Sequence, residues 1–186
     1  MGQGILVWMD LEMTGLDPRE DTILEVASIV TDTELNIIAQ GPNLIVQCDE
    51  ERLQKMDKWN TKHHKASGLW NACMKSEISL AKAEEITMEF LQKHVKKEGT
   101  TPLCGNSVWQ DRRFLAEHMK KVDSFLHYRL VDVSTLKELY KYWLAEKPKF
   151  EKKNLHRALN DIEESIAELR FYKQEMFGSP SLKQNT

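Results

Sequence analysis

The chain has 186 residues, of which 41% are hydrophobic and 30% charged, a composition typical of one globular domain with a buried core. Its formal net charge of -3 disfavours the coating of long nucleic acid duplexes, because that kind of binding usually needs a basic surface. No stretch approaches the roughly 20 apolar residues needed to cross a bilayer, so no membrane association is expected.

The three cysteines, Cys48, Cys73 and Cys104, are scattered along the chain and form no CxxC pair. They indicate neither a disulfide framework nor a zinc site, and we expect reduced, buried thiols. We also expect that this chain carries no secretory or transit segment. These features predict an intracellular location, either the cytoplasm or, if a transit segment has been removed from a longer precursor, the mitochondrion.

The first predicted element is a strand that ends in two carboxylates. The apolar residues 5–9 are typical of a buried strand, and Asp10 and Glu12 follow one residue apart. Because side chains alternate between the faces of a strand, these two acids would share a face, about 7 Å apart. Buried together they would repel each other unless a cation neutralises them, and their oxygen ligands suit Mg²⁺ or Mn²⁺. The alternative is a strand that emerges into solvent at Asp10, with both acids hydrated.

Three further strands are predicted in the first third of the chain, at residues 23–30, 36–40 and 44–46. The segment Asp32-Thr33-Glu34 fits a hairpin turn between the first two of these. The sheet is therefore expected to begin with antiparallel neighbours.

Helices and short strands alternate in the rest of the chain. The predicted elements are a helix capped by Ser79 and ending near 97, a strand at 101–105, one helix from Asp111 through Val122, a strand at 130–133, a helix capped by Ser134 or Thr135, a loop at 147–153 and a helix at 159–177. This order predicts an α/β fold, a mixed sheet with antiparallel N-terminal strands flanked by helices. Residues 1–178 are expected to form the domain and residues 179–186 a disordered tail.

Two more acids and one histidine are candidates for the same site. Asp111 follows the predicted strand 101–105, and Asp161 lies near the start of the last helix, five residues after His156. Taken alone, each acid is better explained as an ordinary acid at a helix N-terminus, and His156 as a surface or core residue. In sheets of this type, however, ligands bind at the carboxyl ends of strands, where Asp10 and Glu12 are predicted to lie.

Taken together, the motifs Asp10-x-Glu12, Asn106-x(4)-Asp111 and His156-x(4)-Asp161 resemble the DEDD exonuclease superfamily, in its histidine-containing branch. Longer blocks resemble the oligoribonuclease family within it, namely residues 10–16, 41–44, 59–69, 105–107, 110–115, 127–129 and 132–139. The resemblance extends from about residue 5 to residue 177.

The resemblance implies a ribonuclease-H-like fold and a homodimer that removes nucleoside 5′-monophosphates, in the 3′→5′ direction, from single-stranded RNA of two to about five nucleotides. It implies two divalent cations, Mg²⁺ or Mn²⁺, with His156 as the general base and Tyr128 reaching the active site of the partner subunit. The implied metal ligands are Asp10, Glu12, Asp111 and Asp161. The implied substrate contacts are Leu16, Trp59, His64, Ser107, Arg129 and Ser134.

Two positions depart from the family pattern. Trp109 stands where the family more often has a small or polar residue, two residues before Asp111. Asn160 replaces an acid that commonly precedes the last liganding aspartate, so a register shifted by one residue would leave a ligand missing. The spacing from His156 to Asp161 favours Asp161 as the ligand.

Two other functions remain open at this point. One is a 3′→5′ exonuclease of broader specificity that trims or proofreads DNA or RNA. The other is a catalytically impaired RNA-binding relative, made inactive by the change at Asn160.

Overall fold

The computed structural model describes residues 4–144, 146, 148–151 and 157–178. These residues form a six-stranded mixed sheet flanked by helices, which confirms the predicted fold class. The strand order is β3-β2-β1-β5-β6, with β4 pairing alongside β2. The strands are β1 (Ile5–Met13), β2 (Ile23–Asp32), β3 (Ile37–Gln40), β4 (Leu44–Ile45), β5 (Pro102–Gly105) and β6 (His127–Asp132).

Within the described ranges the chain forms eight helices. They are α1 (Glu50–Gln54), α2 (Lys58–Ala66), α3 (Leu69–Lys75), α4 (Leu80–His94), α5 (Trp109–His118), α6 (Lys120–Phe125), α7 (Val133–Trp143) and α8 (Ala158–Phe177). No helix among the described residues is both long enough and apolar enough to span a membrane.

Strand β1 lies at the centre of the sheet, and its alternating side chains fill two cores. It pairs antiparallel with β2 and parallel with β5, while β2 pairs antiparallel with β3 across the predicted hairpin turn. Val7 and Met9 pack into the core that contains side chains of α4, α5 and α6. Trp8 packs on the opposite face against side chains of α7 and α8. Asp10 and Glu12 continue the row that Trp8 begins, so they lie on the face that α8 covers.

Several predicted boundaries were wrong. The single helix expected from Asp111 through Val122 is two helices, α5 and α6, because Met119 leaves the helical conformation at φ -133° and ψ 61°. Asp132, rather than Ser134 or Thr135, caps α7, and its side chain accepts a hydrogen bond from the Ser134 amide. Strand β6 begins at His127, three residues before the predicted start.

The segment between β4 and α4 has more structure than the sequence predicted. It forms α1, α2 and α3, and the first two begin at aspartate caps. Asp49 accepts from the Arg52 amide and Asp57 from the Asn60 amide.

Three predictions fall wholly or partly outside the described residues. The tail at 179–186 and His156 are both outside them. Of the predicted loop, only residues 148–151 are described, and they contain no helix or strand. The domain boundary at residue 178 stays a prediction.

Candidate active site

Three carboxylates from distant parts of the chain meet at the end of β1. Asp10 and Glu12 project from β1, and Asp161 comes from the first turn of α8. One oxygen atom of each carboxylate lies within 4.8 Å of the others, a spacing that suits a shared metal ion. The structure therefore places Asp161, rather than the neighbouring Asn160, in the cluster.

Asp111 is held against the same end of β1 by a hydrogen bond from the strand backbone. Strand β5 ends at Gly105, and Oδ1 of Asp111 accepts a hydrogen bond from the amide of Leu11 at 2.9 Å. Leu11 lies between Asp10 and Glu12, so this bond fixes Asp111 against the two strand acids. All four acids proposed as metal ligands are thus gathered at one end of the sheet.

Burial and mutual repulsion raise the pKa of these carboxyl groups. The pKa of Asp10 is well above its ordinary value, first because of burial and then because of the charges of Asp111 and Glu12. Burial, followed by the charge of Asp161, raises the pKa of Glu12 to about 8. Burial raises the pKa of Asp111 to about 7, although the hydrogen bond from Leu11 opposes the rise. Such a cluster favours the binding of a cation.

A second buried glutamate lies directly opposite Glu12. Glu25 on β2 is the register partner of Glu12 and is fully buried. Its carboxylate accepts from Nε of Arg157 at 3.1 and 3.2 Å, from a terminal guanidinium nitrogen at 2.8 Å and from the side chain of Asn43 at 2.9 Å. Arg157 immediately precedes α8, so this ion pair ties the start of that helix to the central sheet.

Leu16 lies on a loop that folds around Asp21. The hydroxyl of Thr14 donates to Oδ1 of Asp21 at 2.8 Å, and the amide of Asp17 donates to Oδ2 at 3.0 Å. Leu16 is 69% exposed, as a side chain that contacts bases would need to be. Trp59 is also exposed, on α2, with its ring stacked on that of His63 at 3.8 Å between centroids.

Ser107 and Ser134, two of the implied substrate contacts, are in direct contact with each other. The amide of Ser107 donates to Oγ of Ser134 at 2.9 Å, and the two hydroxyl oxygens lie 3.2 Å apart. Ser107 adopts φ +50°, a conformation uncommon outside glycine. Its amide also donates to the α7 cap, Asp132, at 2.9 Å, and this bond helps to hold the turn.

Tyr128 and Arg129 lie on β6, the strand at one end of the sheet order. Tyr128 is 74% exposed, and the Arg129 guanidinium lies 5.4 Å from the centre of its ring. Both side chains are accessible on the surface of this chain.

The chain matches known proteins over almost its whole length. The model of the Exonuclease family matches residues 7–169. The oligoribonuclease of Vibrio vulnificus is 54% identical over 173 residues, which cover 92% of this chain and 95% of the relative. The oligoribonuclease of Pseudomonas putida is 52% identical over 170 residues, covering 91% and 94%.

The chain belongs to the oligoribonuclease family. This membership confirms the predicted enzyme class, a 3′→5′ exoribonuclease, and the resemblance drawn from the sequence motifs. Exonucleases of this fold depend on divalent metal ions, and the acid cluster at the end of β1 provides ligands of the right kind.

Solved structures of exonuclease I share the fold at low sequence identity. The E. coli enzyme in complex with a 5cy-dT13 oligonucleotide superimposes with a TM-score of 0.69 at 18% identity. That match covers 93% of this chain but 41% of the E. coli chain. The enzyme from Methylocaldum szegediense gives a TM-score of 0.63 over 92% and 41% of the two chains. The chain thus spans about two fifths of these larger proteins.

His64 of this oligoribonuclease family member is buried rather than open to a groove. It is 2% exposed, and its Nε2 lies 2.9 Å from the carbonyl oxygen of Met13. Because a carbonyl oxygen only accepts, Nε2 carries the proton in this contact. Its Nδ1 lies 3.9 Å from Oε2 of Glu12, so in this structure His64 contacts a cluster acid. The predicted substrate contact of His64 stays a prediction.

A buried polar network behind the acids was not predicted. The side chain of Asn106 donates to Ser165 at 2.8 Å and to the buried Glu168 at 3.0 Å, while its carbonyl oxygen accepts from Ser134 at 3.1 Å. Ser165 in turn donates to the backbone carbonyl of Asp161 at 2.8 Å. The network joins Ser134 to the helix that carries a cluster acid. Its one sequence signal is polar residues at the inward positions of α8.

Proposed function

We propose that this chain degrades RNA of two to five nucleotides, dinucleotides above all, from the 3′ end to nucleoside 5′-monophosphates, with two divalent ions as cofactors. The observation that carries the proposal is the carboxylate cluster of Asp10, Glu12 and Asp161, reinforced by Asp111, in a chain of the oligoribonuclease family. Its substrate is single-stranded nucleic acid, and the 3′ terminus would lie at the carboxylate cluster.

The residues present fit a pair of divalent ions. Four carboxylates supply oxygen ligands in a partly buried site, and the raised pKa values of Glu12 and Asp111 indicate unmet negative charge. Mg²⁺ and Mn²⁺ both suit such oxygen donors. When bound, a pair of divalent ions in such a site activates the attacking water and stabilises the charge on the scissile phosphate.

The protein side chains have separate tasks in this scheme. His156 takes the proton of the attacking water, a role suited to an imidazole that titrates near neutrality. The support is its sequence position one residue before Arg157, whose guanidinium is bonded to Glu25 beside the cluster. Asp10, Glu12, Asp111 and Asp161 transfer no proton in this scheme. They would hold the ions that orient the phosphate.

The substrate is held by stacking and by a capped phosphate. Trp59 and Leu16 offer exposed apolar surface to the bases, and stacking on an aromatic ring such as that of Trp59 contributes on the order of 1–3 kcal/mol per base. Ser107, Ser134 and the cation of Arg129 bind the terminal 5′-phosphate. A closed site at that phosphate excludes longer chains, and a protein with net charge -3 gains little from extended phosphate tracts.

The active form is proposed to be a homodimer. Tyr128 and Arg129 stand exposed on an end strand, from which Tyr128 would reach the second copy's acid cluster across a two-fold axis. Light scattering checks this, because a fully active monomer of about the 21.7 kDa chain mass would exclude the role of Tyr128 in trans.

An intracellular location is proposed as well. It is supported by three buried cysteines that carry free thiols. The oligoribonucleases compared above come from bacteria, which offers no support for the mitochondrial alternative.

The test of the proposed function is a length series. Labelled RNA of two, five and twenty nucleotides is digested with Mg²⁺ or Mn²⁺, and a matched DNA dinucleotide is run beside it. Fast release from the dinucleotide and slow release from the twenty-mer is expected. Equal rates at all lengths, or on DNA, would favour the broader exonuclease.

The catalytically impaired RNA-binding alternative is tested by the same assay. It predicts binding of short RNA with no metal-dependent release of nucleotides. Metal-dependent release that Asp161→Ala abolishes would exclude it.

A further inference from the structure

Trp109 and Arg113 form an exposed surface on the first turns of α5 that none of the roles above uses. Trp109 is 54% exposed, and the carbon of the Arg113 guanidinium lies 5.8 Å from the centre of its ring. The residues are four apart on a helix and therefore share one face. A large aromatic ring exposed beside a cation is the combination that single-stranded nucleic acids bind.

This surface adjoins the loop that carries Leu16, part of the proposed site. A terminal nitrogen of Arg113 lies 3.4 Å from the carbonyl oxygen of Leu16, the proposed base contact. Gln110, next to Trp109, donates to the same oxygen at 2.7 Å, and its own carbonyl oxygen accepts from Arg113 at 2.8 Å. The loop that carries Leu16 is thus fastened to α5 beside the Trp109 ring.

Two sequence neighbours of Trp109 belong to other parts of the proposed site. Ser107, in the proposed phosphate site, is two residues before it, and Asp111, in the acid cluster, is two residues after it. Asp111 points inward to the Leu11 amide while Trp109 faces outward. Trp109 thus stands in the chain between a serine of the proposed phosphate site and an acid of the cluster, with its ring exposed.

We propose that Trp109 and Arg113 form a nucleobase-stacking subsite of this enzyme, and that the subsite makes it favour purine over pyrimidine nucleotides. The inference rests on the proposed function. The indole stacks on the base, and the guanidinium lies against the base or the adjoining phosphate. Purines present a larger π-face than pyrimidines, so preference follows from stacking strength rather than from hydrogen bonds to base edges.

The kinetic test compares Trp109→Ala and Trp109→Phe with the unmodified enzyme on 5′-phosphorylated diadenylate and diuridylate. We expect the unmodified enzyme to have the lower KM for diadenylate. Trp109→Ala is expected to raise that KM on the order of tenfold, with a smaller rise for diuridylate and kcat retained. Trp109→Phe is expected to fall between the two.

The matched control is Trp143→Ala, which removes a 65% exposed tryptophan from the end of α7. It is expected to leave both KM values unchanged. A second measurement needs no turnover: diadenylate is expected to quench tryptophan fluorescence in the unmodified protein, and Trp109→Phe is expected to lose part of that quenching.

Three results would overturn the subsite. They are equal KM values in the Trp109→Ala and unmodified enzymes, a fall in kcat at unchanged KM, and a change of oligomeric state in Trp109→Ala by light scattering. The last would make the surface a subunit contact. Failure of the unmodified enzyme to cleave either dinucleotide would refute the proposed function instead, and the fluorescence comparison would still decide whether Trp109 binds a base.

Discussion

Glu12 and Glu25 are register partners on adjacent strands, but the negative charges of their carboxylates are compensated differently. Glu25 is fully buried and is met by Arg157, by Asn43 and, at 3.5 Å, by the amide of Ala158. Glu12 has Asp161 and the other cluster acids for neighbours, and its pKa rises to about 8. One carboxylate is neutralised by the chain itself, and the other is left for a cation from solution.

The difference shows how the fold keeps Arg157 from forming an ion pair with an acid of the cluster. Had Arg157 turned to Glu12, the guanidinium would occupy the space of an ion and compete with it. Its bonds to Glu25 hold it one strand away, where its charge still lowers the pKa of Glu12 slightly against the larger effects of burial and the acids. Four changes test this arrangement, and they follow in order of expected effect.

Removing Asp161 is expected to have the largest effect. Asp161→Asn keeps the size of the side chain but takes one charge from the cluster, so metal-dependent nucleotide release should fall by more than about 100-fold, beyond the usual effect of losing an outer-shell partner. The control is Glu163→Gln, an exposed change on the same helix. Comparable activity in the two variants would remove Asp161 from the ligand set.

Breaking the Glu25 ion pair should chiefly affect folding. Arg157→Met leaves a carboxylate buried without its cation, and the free energy of unfolding should fall by about 3–5 kcal/mol, measured by urea titration. Adding Glu25→Leu to this variant should recover most of the loss, because no unpaired charge then remains. If the double variant were as unstable as the single one, the pair would matter through packing alone.

The stability of the metal-free protein should depend on pH. Glu12 has an ordinary pKa of 4.5 and a folded pKa of about 8, so between these values the folded chain holds the proton that the unfolded chain has lost. The free energy of unfolding therefore falls as pH rises through this range, and Asp111 acts in the same direction up to about pH 7.

Thermal unfolding with and without Mg²⁺ or Mn²⁺ checks this. Metal should raise the Tm more at pH 8.5 than at pH 6, by on the order of 5 °C. Glu12→Gln should flatten the pH dependence of the metal-free protein. A Tm that rises with pH between 5 and 8 in the metal-free protein would contradict the sign.

The smallest effect is expected at Asn43. Asn43→Ala removes one hydrogen bond to Glu25 while the guanidinium remains, so the free energy of unfolding should fall by about 1 kcal/mol. Gln47→Ala, an exposed polar change a few residues away, is the control and should stay within about 0.5 kcal/mol of the original. A loss as large as that of Arg157→Met would mean that the amide, not the cation, keeps Glu25 buried.

The part of the site that sequence could predict is the part with local periodicity. Alternation along β1 put Asp10 and Glu12 on one face, and the structure shows that face covered by α8. The resemblance to the DEDD exonucleases, rather than any periodicity, assigned Asp111 and Asp161 to the same site. The bond from Leu11 to Asp111, across 100 residues, and the pair of Arg157 with Glu25, across 132, have no local signature. They depend on where the strands and helices pack.

The errors in the secondary structure have a similar cause. Ser134 and Thr135 are good caps by residue type, but Asp132 reaches both the Ser134 and the Ser107 amides and so begins α7 earlier. The apolar spacing through Val122 continues across Met119, and hydrophobic periodicity does not reveal a break in the backbone there.

The hydrogen bond from Leu11 to Asp111 turns one backbone proton into a reporter. The amide of Leu11 donates to the carboxylate of Asp111, whose pKa is raised to about 7. Leu11 itself lies between two other acids of the cluster, Asp10 and Glu12. Its nuclear magnetic resonance frequency should therefore follow the ionisation of Asp111, and a bound cation should shift that titration to lower pH. A single resolved peak would then record the charge state of Asp111 without a substrate or a substitution.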